Sequence, residues 1–245
     1  MPTVHRLPDA ADRRSTAVRR WMERPPLFLC DLSPGLGGAV TPHHHVCRVK
    51  GKDAMPQLTE IRWHARAGQG AVTAAKVVAE TALSADQYMQ AMPEYGPERM
   101  GAPIKAFTRI CDEPIEIHNN IEFPDVVIVL DETLLDVIDV TEGLKPTGTI
   151  IINTCSPAAA VKAALGVADT VTVATVDASG IALDTIKRDI PNTPIVGALC
   201  KTTGVIDVDA FKGLLSKNLA KKFGQEMIDA NFAAVTRAYE EVTQA

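Results

Sequence analysis

The longer, C-terminal part of the chain alternates between two hydrophobic periods. Residues 61–64 form a short strand-like run, and residues 70–85 place apolar side chains such as Val72 and Val78 at helical spacing. Residues 126–130 are an unbroken apolar run rich in β-branched side chains, which is typical of a strand buried on both faces of a parallel sheet. This alternation predicts an α/β domain.

The same criteria predict the remaining elements of the domain. Further strands are expected at 105–111, 149–153 and 170–175, and helices at 133–138, 158–166, 179–187, 207–222 and 224–241. Ser179 is a suitable N-cap for its helix, and residues 194–199 form either a strand or a buried turn. The expected fold is Rossmann-like, with a largely parallel sheet and helices on both faces, over residues 58–245.

Residues 1–57 differ from this domain in composition. Pro25 and Pro26 interrupt the only helix-like stretch, and prolines, glycines and histidines follow. Residues 1–50 hold eight Arg and Lys against four Asp and Glu, whereas the rest of the chain holds 17 against 26. We predict a basic, extended N-terminal arm that docks on another subunit through its apolar residues 27–29 and Leu36. The alternative is a disordered tail.

The composition limits the classes of protein to which the chain can belong. Of its 245 residues 46% are hydrophobic but only 4% aromatic, so aliphatic side chains must fill the core. No apolar run reaches the roughly 18 to 20 residues of a membrane helix, and the N-terminus lacks a signal-peptide core. We therefore expect a cytoplasmic protein without a membrane span. The net charge of −5 argues against nucleic-acid binding.

The cysteine and histidine spacing bears on metal and cluster chemistry. The five cysteines are scattered and form no C-x-x-C pair, which argues against a disulfide framework and against an iron–sulfur cluster held by this chain alone. Histidines 43–45 lie near Cys30 and Cys47, but three adjacent side chains cannot all point at one ion. We predict no metal site.

A glycine turn joins the first strand to the first helix and is a candidate binding element. The backbone N–H groups of such a helix start face an anion, and Arg66, Gly68, Gln69 and Gly70 occupy the turn. The run departs from the G-x-G-x-x-G pattern, and no acid follows about 20 residues later, so a self-contained NAD or FAD domain is disfavoured. We expect Arg66 and Gln69 to reach outward to a neighbouring group or subunit. The alternative is a plain tight turn.

A second candidate element is the loop at 93–103. Its prolines stiffen it and its glycines let it bend, and it presents Tyr95, Gly96, Pro97, Glu98 and Arg99. The Arg99 guanidinium could bind a carboxylate or phosphate in a bidentate manner. The alternative is an ion pair with a nearby glutamate.

Polar residues also follow the carboxyl ends of two predicted strands, where open α/β sheets bind ligands. Asp131 and Glu132 come after the strand at 126–130 and either face that crevice or cap the next helix. Cys155 follows the strand at 149–153 without an obvious histidine partner. A packed small residue is therefore favoured over a nucleophile there.

The two motifs together resemble one known family. A turn of the type G-R-G-G-Q-G-A-V-T-A-A-K is matched by residues 65–76, and a loop of the type P-E-Y-G-P-E-R-x-G-A-P by residues 93–103. Both are typical of the gamma subunit or domain of the 2-oxoacid:acceptor oxidoreductases, the pyruvate:ferredoxin oxidoreductase group, and the resemblance extends over about residues 58–242. Ala65 and Ala67 replace glycines of the family turn, and the N-terminal arm has no counterpart in the family pattern.

The resemblance implies a subunit without catalytic residues of its own. The full enzyme decarboxylates a 2-oxoacid oxidatively, transfers the acyl group to coenzyme A and passes electrons to ferredoxin or another acceptor. Thiamine diphosphate with magnesium belongs to the alpha and beta subunits, and iron–sulfur clusters belong to beta and a delta-type part. The gamma subunit is mainly structural and binds no cofactor alone. Its glycine turn and proline-rich loop are expected at a subunit contact or near the path of coenzyme A.

Two further functions compete with this interpretation. One is a free-standing nucleotide-dependent oxidoreductase, and the other is a scaffold whose basic arm recruits an extra electron-transfer subunit. The resemblance leaves the 2-oxoacid open among pyruvate, 2-oxoglutarate, aryl-glyoxylate, indolepyruvate and oxalate. The arm slightly favours a less common member, such as an aryl-glyoxylate enzyme with an additional electron-transfer subunit.

Overall fold

A computed structural model describes residues 57–94 and 101–245. Residues 1–56 of the predicted arm therefore lie outside the described residues. The strands are β1 (Thr59–Arg66), β2 (Tyr88–Glu94), β3 (Pro103–Cys111), β4 (Val126–Val129), β5 (Thr149–Asn153), β6 (Thr172–Val176) and β7 (Thr243–Gln244). The helices are α1 (Ala71–Leu83), α2 (Ala158–Leu165), α3 (Ala178–Thr185), α4 (Asn192–Thr203), α5 (Val208–Leu219) and α6 (Gln225–Glu241), and a 3₁₀ turn spans Glu132–Leu134.

The strands form one sheet in the order β2-β3-β1-β4-β5-β6-β7. Strands β1, β4, β5 and β6 run parallel, while β2, β3 and β7 pair antiparallel at the two sides. The central strands β4 and β5 are almost entirely apolar, because helices or loops cover both of their faces. The predicted α/β fold with a parallel central sheet is confirmed.

The two faces of the sheet carry separate hydrophobic clusters. On one face Ile61, Trp63 and Ile128 pack with residues of α1, α3, α4, α5 and α6. On the other face Val129 and Ile152 pack with α2 and the residues around the 3₁₀ turn. The alternation of side chains along each strand produces this division, and it confirms the expectation of helices on both faces.

The prediction of a strand or buried turn at 194–199 is wrong, because these residues lie inside α4. Every residue of α4 from Pro194 to Cys200 is buried, so the segment shows no polar face and no helical period in its sequence. Gly197 lets α4 approach α6 closely, since a Cβ atom there would lie 2.3 Å from the Val235 carbonyl oxygen.

Three smaller predictions also need correction. Pro93 and Glu94 belong to β2, where they pair with Ala106 and Lys105, and not to the loop. The helix expected at 133–138 is a three-residue 3₁₀ turn. The N-cap of α3 is not Ser179 but Asp177, whose carboxylate accepts a hydrogen bond from the Gly180 N–H at 2.8 Å.

Candidate functional site

The candidate site lies where the parallel strands end. Arg66 ends β1 and residues 67–70 follow it, Asp131 follows β4, Thr154 follows β5 and Asp177 follows β6, so four polar segments meet at the carboxyl edge of the sheet. The chain continues from β1 to β2 and β3 on one side of the sheet and from β4 to β5 and β6 on the other, so the strand order changes direction beside the glycine turn. Open α/β sheets bind ligands at such points.

The glycine turn has the backbone that its sequence predicts. Gly68 and Gly70 have φ angles of 105° and 82°, a region in which residues with a Cβ are strained. Gly70 is the N-cap of α1 and makes no side-chain capping hydrogen bond. A Cβ atom at Gly70 would lie 2.4 Å from Asn192 Nδ2, so the turn packs directly against the start of α4.

Within the described residues, Arg66 and Gln69 contact neighbouring groups of their own chain. The Arg66 guanidinium donates to Thr133 Oγ1 at 2.7 Å and to the Gly101 carbonyl at 3.1 Å, and its Nε lies 3.3 Å from Asp131 Oδ2. Gln69 accepts a hydrogen bond from the Arg66 N–H and donates to Asp131 Oδ2 at 2.9 Å. Both side chains therefore join the glycine turn to the end of β4. Their contact with a ligand or another subunit stays a prediction.

Asp131 is the centre of this network. Burial favours its neutral form, but hydrogen bonds from Thr133 and Gln69 and the charge of Arg66 outweigh that effect and lower the pKa of the carboxyl. Asp131 also accepts the Thr133 N–H at 3.0 Å and so caps the 3₁₀ turn. Of the two roles that the sequence left open, the structure shows the cap, and the position of Asp131 in a ligand-binding crevice stays a prediction.

A second network holds the neighbouring strand ends. Asn153 donates to the Leu130 carbonyl at 2.8 Å and accepts the Ser179 N–H at 3.1 Å, which ties β4, β5 and α3 together. Sequence analysis did not select Asn153, although its place at the end of a predicted buried strand was the available signal. Thr154 donates a hydrogen bond to the Glu132 carboxylate.

Cys155 is exposed beside this network. A hydrogen bond to Asp177 and the charge of that carboxylate raise the pKa of the Cys155 thiol. A raised pKa reduces the thiolate fraction that a nucleophile needs. The geometry therefore agrees with the expectation that Cys155 is not a nucleophile.

The proline-rich loop is only partly described. Tyr95, Gly96, Pro97, Glu98 and Arg99 lie outside the described residues, so their predicted role stays a prediction. The C-terminal flank of the loop is fixed beside the glycine turn. The Ala67 N–H donates to the Ala102 carbonyl at 2.9 Å and the Gly101 N–H donates to the Ala67 carbonyl at 3.3 Å. The two motifs that carry the family resemblance are therefore neighbours at this flank.

A buried row of polar side chains on the same sheet escaped sequence analysis. Arg62 donates to His64 Nε2 at 3.1 Å and to the Val140 carbonyl at 3.1 Å, and all these groups are buried. Burial, together with the charges of Arg62 and Lys105, lowers the pKa of His64 to about 3. His64 is therefore neutral at physiological pH and cannot serve as an acid–base group there. The signal was the charged residues at alternate positions of β1.

Arg109 on β3 has a similar structural role. It pairs with Glu60 at 2.9 Å and donates to the Asn119 carbonyl at 2.9 Å, with its side chain almost fully buried. Arg62 and Arg109 lie on the same face of the sheet, and each is hydrogen-bonded to an irregular segment, at Val140 and Asn119 respectively. Both buried guanidinium groups are hydrogen-bonded, which offsets part of the cost of removing their charge from water.

Within residues 57–94 and 101–245, no group of three His, Cys, Asp or Glu side chains could hold a metal ion. Histidines 43–45, Cys30 and Cys47 lie outside the described residues. No helix among the described residues is long and apolar enough to cross a membrane.

The strand after α1 also decides against a self-contained dinucleotide domain. In that domain the second strand of a β-α-β unit lies parallel in the sheet and carries the acid that binds the ribose. Here β2 follows α1, runs antiparallel to β3 and lies at the outer side of the sheet. Over the described residues, the fold and the site define a Rossmann-like α/β domain in which the unit β1-α1-β2 is not of the dinucleotide-binding type.

The chain belongs to the pyruvate ferredoxin/flavodoxin oxidoreductase family, whose family model matches residues 60–241. It is similar to the Thermotoga maritima protein named pyruvate synthase subunit PorC, with 50% identity over 183 residues that cover 75% of this chain and 94% of that protein. It is also similar to the Pyrococcus furiosus common subunit gamma of pyruvate/ketoisovalerate oxidoreductases, with 43% identity over 75% of this chain and 96% of that protein. The resemblance noted in the sequence is confirmed.

Solved structures agree with the fold. The crystal structure of the Thermotoga maritima pyruvate oxidoreductase subunit PORC superposes with a TM-score of 0.67 and 45% identity, covering 77% of this chain and 98% of that one. A keto/oxoacid ferredoxin oxidoreductase gamma subunit from Geobacter sulfurreducens, at 20% identity and a TM-score of 0.59, covers 76% of this chain and 96% of that one and shows the shared fold alone.

Proposed function

We propose that this chain is the gamma-type subunit of a thiamine-diphosphate-dependent, coenzyme A-acylating 2-oxoacid oxidoreductase. The observation that carries the proposal is the match to relatives named as subunits of pyruvate oxidoreductases, which spans 94% and 96% of their lengths. The complex would decarboxylate a 2-oxoacid oxidatively and pass electrons to ferredoxin or another acceptor. The names of the relatives make pyruvate the first substrate to test.

The site geometry supports a structural role for the chain within such a complex. At the carboxyl edge, Arg66, Gln69 and Asp131 are engaged with one another, and Cys155 is held as a thiol. His64 is buried and neutral. The groups described at this edge thus fix the shape of the turn rather than supply a nucleophile or a general base.

The chemistry of the complex would come from its partners. Alpha- and beta-type subunits would hold thiamine diphosphate and magnesium, and beta- and delta-type parts would hold iron–sulfur clusters. The basic arm would dock an extra electron-transfer subunit, and the assembly would be cytoplasmic. Deleting residues 1–55 and identifying the subunit that is then lost tests the role of the arm.

Within the complex, the glycine turn and the proline-rich loop would form a subunit contact or line the path of coenzyme A. Gly70 starts α1 without a side-chain cap, and no acidic residue occupies the first turn of that helix. Its N–H groups and helix dipole therefore suit the phosphates of coenzyme A. Gly101, at the C-terminal flank of the loop, is hydrogen-bonded to Ala67 in the glycine turn, so one ligand or partner could contact both elements.

Two experiments test the proposal. The purified chain alone is assayed for oxoacid-dependent dye reduction, and appreciable turnover without partners would contradict it. For the loop, Arg99→Ala is measured in the assembled complex beside Arg237→Ala, which alters an exposed ion pair with Asp184 on α3. We expect only Arg99→Ala to weaken assembly or raise the KM for coenzyme A. If neither quantity changes, the role of the loop is wrong.

A further inference from the structure

A cleft on the face of the sheet that carries α1, α5 and α6 has no role in the function described so far. It lies between α1, α5, α6 and the segment before α4, and its volume is about 720 Å³. Its floor is largely apolar and is built from Val72, Val77, Ile186, Leu215, Leu219 and Met227. Phe223, at its end, exposes 45% of its surface. A large apolar floor with an exposed aromatic at its edge is typical of a docking surface.

The rim of this cleft is strongly basic. Lys76, Arg188, Lys221 and Lys222 line it, and all four are exposed. Among the described residues that line the cleft, Glu80 is the only acid, and it is already engaged by Lys76 at 3.8 Å and by Asn218 at 3.4 Å.

The sign of the rim is opposite to that of the domain. Outside its first 50 residues the chain holds 17 Arg and Lys against 26 Asp and Glu. Lys76 is paired with Glu80, and the three further cations of the rim, Arg188, Lys221 and Lys222, create a local positive potential that favours an anionic partner.

We call this cleft the basic cleft, and we propose that it binds an acidic amphipathic helix from another subunit of the complex. The proposal rests on the proposed function, which supplies the partner subunits. The cleft follows α1 from Val72 to Glu80, a length of about 12 Å or two helical turns. An incoming helix places its apolar face on the floor and its carboxylates against the lysines and Arg188, as in other helix-in-groove contacts.

Other occupants fit the basic cleft less well. The N-terminal arm is itself basic, with eight cations against four acids in residues 1–50. A second copy related by a two-fold axis through the cleft would set the same cations against each other. A small phosphorylated ligand calls for convergent polar groups inside its pocket, whereas the four cations here are all exposed. The two buried polar side-chain atoms without a partner among the described residues, His64 Nδ1 and Thr202 Oγ1, belong to residues that do not line the cleft.

A charge-neutralised variant tests the electrostatic part of the proposal. Arg188→Gln, Lys221→Gln and Lys222→Gln are combined, and the dissociation constant of the chain from its co-purified partner subunits is measured at low and high salt. We expect affinity to fall about tenfold or more at low salt, with the difference shrinking at high salt because screening removes the attraction. The matched control combines Lys162→Gln, Lys217→Gln and Arg237→Gln, which lie outside the cleft, and should bind as wild type. Equal affinity of the two triple variants overturns the proposal.

Photo-crosslinking in the assembled complex identifies the occupant. Phe223 is replaced by p-benzoyl-phenylalanine, with the same replacement at Phe123, an aromatic that exposes 63% of its surface and does not line the cleft, as control. A crosslink from position 223, absent from position 123, to an acidic helical segment of another subunit supports the proposal. Crosslinks only to residues 1–56 or to a second copy overturn it, as does the absence of any crosslink.

A nucleotide titration separates a ligand site from a docking surface. The chain alone is titrated with ATP by calorimetry, and binding that the cleft triple variant abolishes would assign the cleft to a phosphorylated ligand and overturn the proposal. Failure of the wild-type chain to assemble with any partner would instead contradict the proposed function. Normal assembly of wild type and of both triple variants contradicts the docking proposal alone.

Discussion

Gln69 and Asp131 lie 62 positions apart in the chain, yet the Gln69 amide donates a 2.9 Å hydrogen bond to the Asp131 carboxylate. This contact joins the turn after β1 to the residue that follows β4, across the parallel strand pair at the centre of the sheet. Arg66 pairs with the same carboxylate at 3.3 Å. The glycine turn, which carries most of the family resemblance, therefore has its shape set by residues of its own chain.

Asp131→Asn should destabilise the domain by about 1–2 kcal/mol at neutral pH, since a charge-assisted hydrogen bond and an ion pair are lost while the shape is kept. The pKa of Asp131 is lowered in the folded chain from its ordinary 3.8. Its contribution is thus present above about pH 4 and is lost as the pH falls through the folded value. Urea unfolding at neutral and acidic pH measures the difference.

The matched control for Asp131 is Asp139→Asn. Asp139 is also a carboxylate that accepts hydrogen bonds from a threonine two residues later, but it does not contact the glycine turn. If Asp131→Asn alone also weakens assembly with partner subunits, the network shapes a contact surface. A neutral-pH stability equal to wild type would contradict the network.

The free energy of unfolding of the domain should decrease as the pH falls below 6.5, because of His64. Its pKa is lowered to about 3 in the folded chain, so the unfolded chain takes up a proton first and is favoured between these values. The loss at pH 5 relative to neutral pH is about 2 kcal/mol. His64→Gln removes the titration and keeps an acceptor for Arg62, so its stability should vary less between pH 7 and 5. His118→Gln, at an exposed histidine, is the control substitution.

Gly197→Ala should destabilise the domain by about 2 kcal/mol or more, because its Cβ would lie 2.3 Å from the Val235 carbonyl oxygen and would push α4 from α6. Gly213→Ala on α5 is the matched control, since a Cβ there meets nothing within 4 Å. Alanine is the better helix former by about 1 kcal/mol, so this control should stabilise the domain. Thermal unfolding of both variants measures the contrast, and equal effects would contradict the close packing of α4 on α6.

Cys155 should react slowly with iodoacetamide at pH 8 because Asp177 raises the pKa of its thiol. Asp177→Asn removes that charge and keeps a side chain that can cap α3. The variant should therefore be alkylated several-fold faster at Cys155, measured by mass spectrometry of the modified peptide. Cys200, which is buried, serves as the internal reference. No change in rate would show that Asp177 does not control the thiol.

Local patterns in the sequence predicted the elements that have a clear period or cap. The aliphatic run at 126–130 gave β4, and the apolar positions at 70–85 gave α1. Strand β2 was missed because its pairing with β3, and not its local sequence, holds it in the sheet. It also contains Pro93, and proline in sheets is usually confined to edge strands. Helix α4 was missed because it is buried on all sides and so has no amphipathic period.

The sequence predicted where the candidate site lies in the fold, but it did not predict which side chains contact one another there. The residues of the glycine turn and Asp131 were selected because carboxyl ends of strands carry ligands, yet nothing local links Arg66 to Thr133, 67 positions away. Some charged residues that the sequence would place at the surface are buried. Arg62, His64 and Arg109 look like surface charges in a strand, but the chain folds irregular segments over them.

Reconstitution of the complex with and without this chain tests the central claim most directly. Partner subunits are purified from cells that lack the chain, and oxoacid- and coenzyme A-dependent dye reduction is measured before and after the chain is added back. We predict no turnover by the chain alone, impaired assembly or turnover without it, and full recovery on its addition at a fixed stoichiometry. Full activity without the chain, or turnover by the chain alone, would contradict the account.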